Sequence, residues 1–172
     1  AMEYVSGIGI TQWCRTRDLD IQARVGLVAK VARAVAAAHA ALIVHRDIKP
    51  ANVLVDDHGE PRLLDFGIAK LLEADVTERT RPGFAPMTPE YAAPEQFSDG
   101  PITTATDVYA LGLLLYELLT GSHPDRRFVQ APSLALAARR AQSGGTTRLR
   151  IDRDLDRIVL MVTVRVEVDI HV

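Results

Sequence analysis

The hydrophobic pattern predicts two long helices, separated by short extended segments and one long aperiodic stretch. From Asp20 to about Leu42, the positions Ile21, Val25, Val28, Ala32, Val35 and His39 recur at three- and four-residue spacing, the period of one helix face. Asp20 is placed to cap that helix, because a short carboxylate accepts hydrogen bonds from the free amides of a first turn. His39 falls on the apolar stripe, where a packed core histidine is expected rather than a ligand. A second helix is predicted from about Thr106 to Leu119. Val108, Leu111, Leu115 and Leu118 mark its buried face, Leu113 and Leu114 extend burial nearly all round, and Gly121 suits its C-terminal cap. A short Ala/Arg-rich helix is expected over Ser133–Gln142, ended by Gly144-Gly145.

The remaining pattern is extended or irregular. Met2–Gly7 reads as a short extended segment leading into a polar turn. Val53–Val55 and Arg62–Leu64 read as two short strands, joined by a turn at Asp56-Asp57-His58-Gly59 that leaves His58 in solvent. Asp65 to Glu95 has little periodicity and four prolines, and a loop of that length is usually functional or disordered.

Composition narrows the class. The 172 residues suit one domain, and a 48% hydrophobic share implies a soluble, globular chain. A formal charge of −2 predicts no attraction to nucleic acid or anionic membrane. The single cysteine, Cys14, excludes an intrachain disulfide and suits a reducing, cytoplasmic compartment; a structural role is expected for it. The longest apolar runs, such as Leu111–Tyr116, are too short to span a bilayer, so no membrane segment is expected.

The candidate chemistry is concentrated in His45-Arg46-Asp47-Ile48-Lys49-Pro50-Ala51-Asn52, followed thirteen positions after Asn52 by Asp65-Phe66-Gly67. Phosphoryl transfer needs an aligned hydroxyl, a clamped metal-nucleotide and positive charge where negative charge develops. Asp47 can accept or orient a hydroxyl proton, Lys49 can neutralise the moving phosphate, and Asn52 and Asp65 can offer oxygen ligands to Mg²⁺. Gly67 frees the backbone after Asp65 to turn sharply.

On these motifs the chain resembles the eukaryotic-like (Hanks-type) serine/threonine protein kinases of bacteria, over residues 2 to about 161. The resemblance implies a mainly α, α+β fold: the kinase large lobe, with a small β-hairpin carrying the metal-binding loop. It implies ATP and Mg²⁺ as cofactors and transfer of the γ-phosphate to protein Ser/Thr hydroxyls. Asp47 and Lys49 would be catalytic, with Asn52 and Asp65 holding the metal. Met2-Glu3-Tyr4-Val5 is similar to the kinase hinge, where the Glu3 carbonyl and the Val5 amide would meet adenine, and Leu54 would lie beneath the ring. His45 and Phe66 resemble members of the stacked regulatory spine. Glu95, in Ala93-Pro94-Glu95, resembles the residue closing the activation segment, and Asp107 the acid that anchors the catalytic-loop backbone. Arg46 before Asp47 implies control by phosphorylation, with Thr77 and Thr80 as acceptors, because a guanidinium can grip a new phosphate. Thr88 resembles the threonine that hydrogen-bonds the catalytic Asp and Lys.

The same resemblance sets limits. The Gly-rich loop, the strand lysine and its partner glutamate belong to the small lobe, upstream of a hinge. The chain opens at its hinge-like segment, so the small lobe is expected to be absent and these 172 residues alone are expected to be inactive. A small-lobe protein is then an expected partner, beside the protein substrate. A non-catalytic, pseudokinase-like module for binding proteins is the alternative. Asp154–Leu160 is similar to the start of a late large-lobe helix, after which Val162–Val172 alternates at period two and predicts a strand-like tail. No match is visible for the arginine that pairs with the acid of Ala-Pro-Glu in relatives, so Glu95 is expected to lack its buried partner.

Overall fold

The computed structural model describes residues 6–64, 90–97, 101–123, 134 and 151–168, with side chains described as far as Met161 in the last stretch. The chain begins with β1 (Ile8–Gly9), which passes directly into helix α1 (Ile10–Thr16). Helix α2 (Ile21–Ala40) follows, then strands β2 (Val53–Val55) and β3 (Pro61–Leu63). Helices α3 (Thr104–Thr120) and α4 (Arg153–Val168) come next among the described residues.

The expected hairpin is one part of a three-stranded antiparallel sheet in the order β1-β2-β3. Leu54 pairs with Arg62 on one side and with Gly9 on the other. Gly7 makes the β1–β2 pairing possible: a Cβ there would lie 2.7 Å from the Val55 carbonyl oxygen, closer than backbone tolerates. The turn before β3 is closed by the Asp56 carboxylate, which accepts hydrogen bonds from the His58 and Glu60 amides. Gly59 takes the positive φ of 80° that the turn requires. His58 is exposed, as expected.

Helix α2 starts where its cap predicts, with Asp20 Oδ1 accepting from the Ala23 amide at 2.8 Å. Its buried face is Leu27, Val28, Val31, Val35 and Ala38, so the stripe is centred slightly off the predicted one. Helix α3 begins two residues earlier than expected, because Thr103 and Thr106 form a reciprocal capping box. It ends at Gly121, whose φ of 71° completes the predicted cap. The expectation of burial nearly all round holds for this helix, with one correction: Val108 is 43% exposed. It lies one position past the buried Asp107, and the apolar face passes instead through Tyr109 and Leu113.

Two parts of the sequence pattern gave no warning. Helix α1 buries Ile10, Trp13 and Cys14 against the sheet, but seven residues are too few to display a period. Burial raises the Cys14 thiol above its ordinary pKa, with the nearby Arg24 charge opposing that in part, which suits a packed thiol. The strand-like tail is a correction: the chain is helical through Val168. A helix satisfies its own backbone, and each added residue extends it by one hydrogen bond, whereas a strand there would need a neighbour to pair with. The Asp152 carboxylate accepts from the Leu155 amide at the helix start, and buried Val159 belongs to the core.

The main core lies where α2, α3 and α4 meet under the sheet, around Val31, Val35, Val53, Leu114, Leu118 and Val159. The predicted helix over Ser133–Gln142 lies outside the described residues apart from Leu134, which is helical.

Candidate active site

The loop between α2 and β2 is organised by one carboxylate from α3. Asp107 is fully buried, and its oxygens accept from the His45 and Arg46 amides, each at 2.8 Å. His39 Nε2 lies 2.7 Å from Asp107 Oδ2. The acid thus anchors the loop as the sequence implies, with His39 as an added partner from the end of α2. Arg46 sits in the left-handed region at φ 69°, a conformation that costs a non-glycine residue about 1–3 kcal/mol and persists only when its surroundings hold it. The two amides on Asp107 are part of that hold.

His45 carries the constraint onward. Its buried ring accepts from the Asp47 amide at Nδ1, 3.3 Å away, so Nε2 is the nitrogen that donates to the Leu64 carbonyl at 3.0 Å. The Leu64 amide in turn donates to the Asn52 carbonyl at 2.8 Å. The residue immediately before Asp65 is therefore fixed to both ends of the loop His45–Asn52.

Asp47, Lys49 and Asn52 come together. Lys49 Nζ lies 3.0 Å from Asp47 Oδ2, and Asn52 Nδ2 donates to the same oxygen at 2.9 Å and to the Asp47 carbonyl at 2.7 Å. The 3₁₀ turn Pro50–Asn52 makes this possible by bringing Asn52 back over Asp47. With its nitrogen committed to Asp47, Asn52 has its carbonyl oxygen Oδ1 to offer a hard cation, so its chemistry fits Mg²⁺. Among the described residues, no group of three or more His, Cys, Asp or Glu side chains gathers to hold a metal. Leu54 projects from β2 on the face opposite buried Val53 and Val55 and is partly exposed.

A second segment docks beside this loop. Pro94–Phe97 forms a 3₁₀ turn against the start of α3. Glu95 is half-buried, and the Thr106 hydroxyl donates to its Oε1 at 2.5 Å. A threonine of the α3 capping box supplies a partner where a distant arginine was sought. Gln96, which the sequence reading passed over, accepts from the Ala93 amide at Oε1 and donates from Nε2 to the Arg46 carbonyl. Tyr91 donates its hydroxyl to Glu117 Oε2 and packs edge-on against His123, with ring centroids 4.6 Å apart. Burial, the bond to Glu117 and the Glu117 and Glu90 charges hold the Tyr91 phenol far above its usual value near 10. Arg46 Nε is buried and has no hydrogen-bond partner among the described residues. Glu3, Val5, Asp65, Phe66, Gly67, Thr77, Thr80 and Thr88 lie outside the described residues.

A buried acid clamping a His-Arg-Asp loop, with Lys and Asn closing on the Asp, is the arrangement of a protein kinase catalytic loop. The family model for the protein kinase domain matches residues 1–143, and the chain belongs to that family. Its relatives include serine/threonine-protein kinases of bacteria, and the family it belongs to is one of transferases. It is 47% identical over 132 residues to the serine/threonine-protein kinase PkaB of Streptomyces coelicolor, covering 72% of this chain and 31% of that protein. To PrkC of Bacillus subtilis it is 34% identical over 168 residues, covering 95% of this chain and 25% of that protein. To pkn3 of Myxococcus xanthus it is 41% identical over 131 residues, covering 72% and 24%. The chain thus spans less than a third of the length of these relatives.

Proposed function

We propose that the site around Asp47 transfers the γ-phosphoryl group of ATP to Ser or Thr hydroxyls of proteins. The observation that supports this best is the Asp47 carboxylate, held by Lys49 and Asn52 on a backbone pinned by Asp107. In this reading Asp47 orients the substrate hydroxyl and accepts its proton. Lys49, now on Asp47, neutralises charge on the transferring group, which is why its ammonium must sit within reach of the same carboxylate. Asn52 Oδ1 and Asp65 would hold Mg²⁺. Bound magnesium-ATP supplies the electrophilic phosphoryl group and spreads its negative charge. Leu54 would underlie the adenine, and the Glu3 carbonyl and Val5 amide would read its edge.

Regulation follows the same chemistry. The buried Arg46 Nε favours a phosphate on Thr77 or Thr80 as its charged partner, and Thr88 would hydrogen-bond Asp47 and Lys49. Turnover needs a Gly-rich loop and a strand lysine to grip the phosphates of the nucleotide. A small lobe supplied by another segment or chain would complete the cleft.

Calorimetry of magnesium-ATP binding, with Asp65→Ala as control, tests the reading. Binding that the substitution abolishes is the expected result. A folded protein that takes up no nucleotide at millimolar concentration would overturn it and favour the protein-binding module.

A further inference from the structure

We propose that Gln96 is a positioning residue for the catalytic loop, tying the Ala-Pro-Glu segment to the peptide that leads into Asp47. The inference rests on the reading of Asp47 as the reacting carboxylate, but its structural content can be tested separately.

Gln96 is half-buried on the Pro94–Phe97 turn, and its two amide atoms face different parts of the molecule. Oε1 accepts from the Ala93 amide at 2.8 Å, a bond three residues back that closes its own turn. Nε2 donates to the Arg46 carbonyl at 2.9 Å, fifty residues away in sequence. A residue needed only to cap the turn would use the first bond alone.

The acceptor is the informative part. Arg46 is the left-handed residue of the loop, and its amide is already taken by Asp107 Oδ1 at 2.8 Å. The Arg46 carbonyl and the Asp47 nitrogen belong to one planar peptide. Fixing the carbonyl therefore fixes the plane in which the Asp47 amide meets His45 Nδ1, and with it the direction in which the Asp47 side chain leaves the backbone. Asp107 holds one side of the strained residue from α3, and Gln96 holds the other from the activation-segment side. A shift of the Ala-Pro-Glu segment would reach Asp47 through this hydrogen bond.

The two arms of the amide can be separated. Gln96→Glu keeps an oxygen for the Ala93 amide but turns a carboxylate toward the Arg46 carbonyl, where it can no longer donate. Gln96→Met removes both arms at similar size. Residue-resolved amide exchange and the carbonyl carbon shift of Arg46 read the outcome on the whole chain. In Gln96→Glu, the Arg46 and Asp47 amides should exchange roughly three- to tenfold faster, the loss expected for one net hydrogen bond. The Arg46 carbonyl resonance should move, while the Ala93 amide and the urea midpoint stay close to those of the parent. Gln96→Met should add faster exchange at Ala93. Parent-like exchange at Arg46 and Asp47 in both variants would overturn the proposal. A loop that responds as expected in a protein that binds no magnesium-ATP would support the coupling and sink the kinase reading instead.

Discussion

At its N-terminal end α3 buries the polar side chains of Thr106 and Asp107, whereas from Leu113 onward its buried positions are mostly leucine. The first turn meets the His45–Asn52 loop, the end of α2 and the Pro94–Phe97 turn through hydrogen bonds: Asp107 to His45, Arg46 and His39, Thr106 to Glu95. The later turns meet α2 and α4 through apolar contact around Leu114, Leu118 and Val159. One polar link at that end, Arg24 Nη1 to the Leu118 carbonyl at 2.5 Å, fastens helix to helix. One helix therefore does two jobs. Apolar burial is non-directional and tolerates small shifts, so it suits the scaffold. Buried hydrogen bonds are directional and costly when half-made, so they suit the loop whose geometry has to be unique.

The largest effect should come from removing the polar anchor. Asp107→Ala leaves the His45 and Arg46 amides and His39 without their common acceptor, and each buried unsatisfied donor costs about 1–3 kcal/mol. We expect a loss of roughly 3–5 kcal/mol by urea unfolding, reduced in Asp107→Asn, which keeps one carbonyl oxygen. In Asp107→Asn the His45 and Arg46 amides should lose more exchange protection than the α2 and α3 amides do. Uniform loss would mean that the polar end is not a separate unit.

Leu118→Ala is the opposite probe. Leu118 is buried in the main core, and truncation there should cost about 2–4 kcal/mol through lost burial and the cavity left behind. The His45 and Arg46 amides should then lose protection only as far as global stability falls. Selective opening of the loop in this variant would break the comparison between the two ends.

How much of this the sequence carried depends on the range of the contact. Asp47, Lys49 and Asn52 lie within six positions, and their convergence was legible because a turn at Pro50 is enough to bring them together. Helix α2 was legible because twenty residues repeat the stripe several times and Asp20 announces its start. His39 was read as a packed core histidine; it is partly buried, and its tie to Asp107 spans 68 positions and depends on how α2 docks on α3. The Gln96 to Arg46 bond is of the same kind, and its one sequence signal is the place of Gln96 directly after Ala-Pro-Glu. The valine alternation misled at the other end, because period two reports a strand only where a partner edge exists, and α4 needs none.

The smallest predicted effect concerns a contact that crosses the division. Glu117 lies in the later part of α3 yet accepts the Tyr91 hydroxyl from the segment before Ala-Pro-Glu. Burial first, then the bond to Glu117 and the Glu117 and Glu90 charges, raise the phenol above its ordinary value near 10 in the folded state. The neutral phenol is thus favoured by folding. Its contribution is fully present below pH 10, where both states are protonated, and is lost as pH rises from there toward the folded value, because only the unfolded state then releases the proton. For this half-buried site the bond is worth about 1 kcal/mol. Tyr91→Phe should therefore lie below the parent in urea midpoint at neutral pH, and the gap should close above pH 10. No gap at neutral pH would show that Tyr91 acts on the later part of α3 only through the packing of its ring against His123, which phenylalanine keeps, and would leave the hydrogen-bonded docking of residues 90–97 confined to the first turn of the helix.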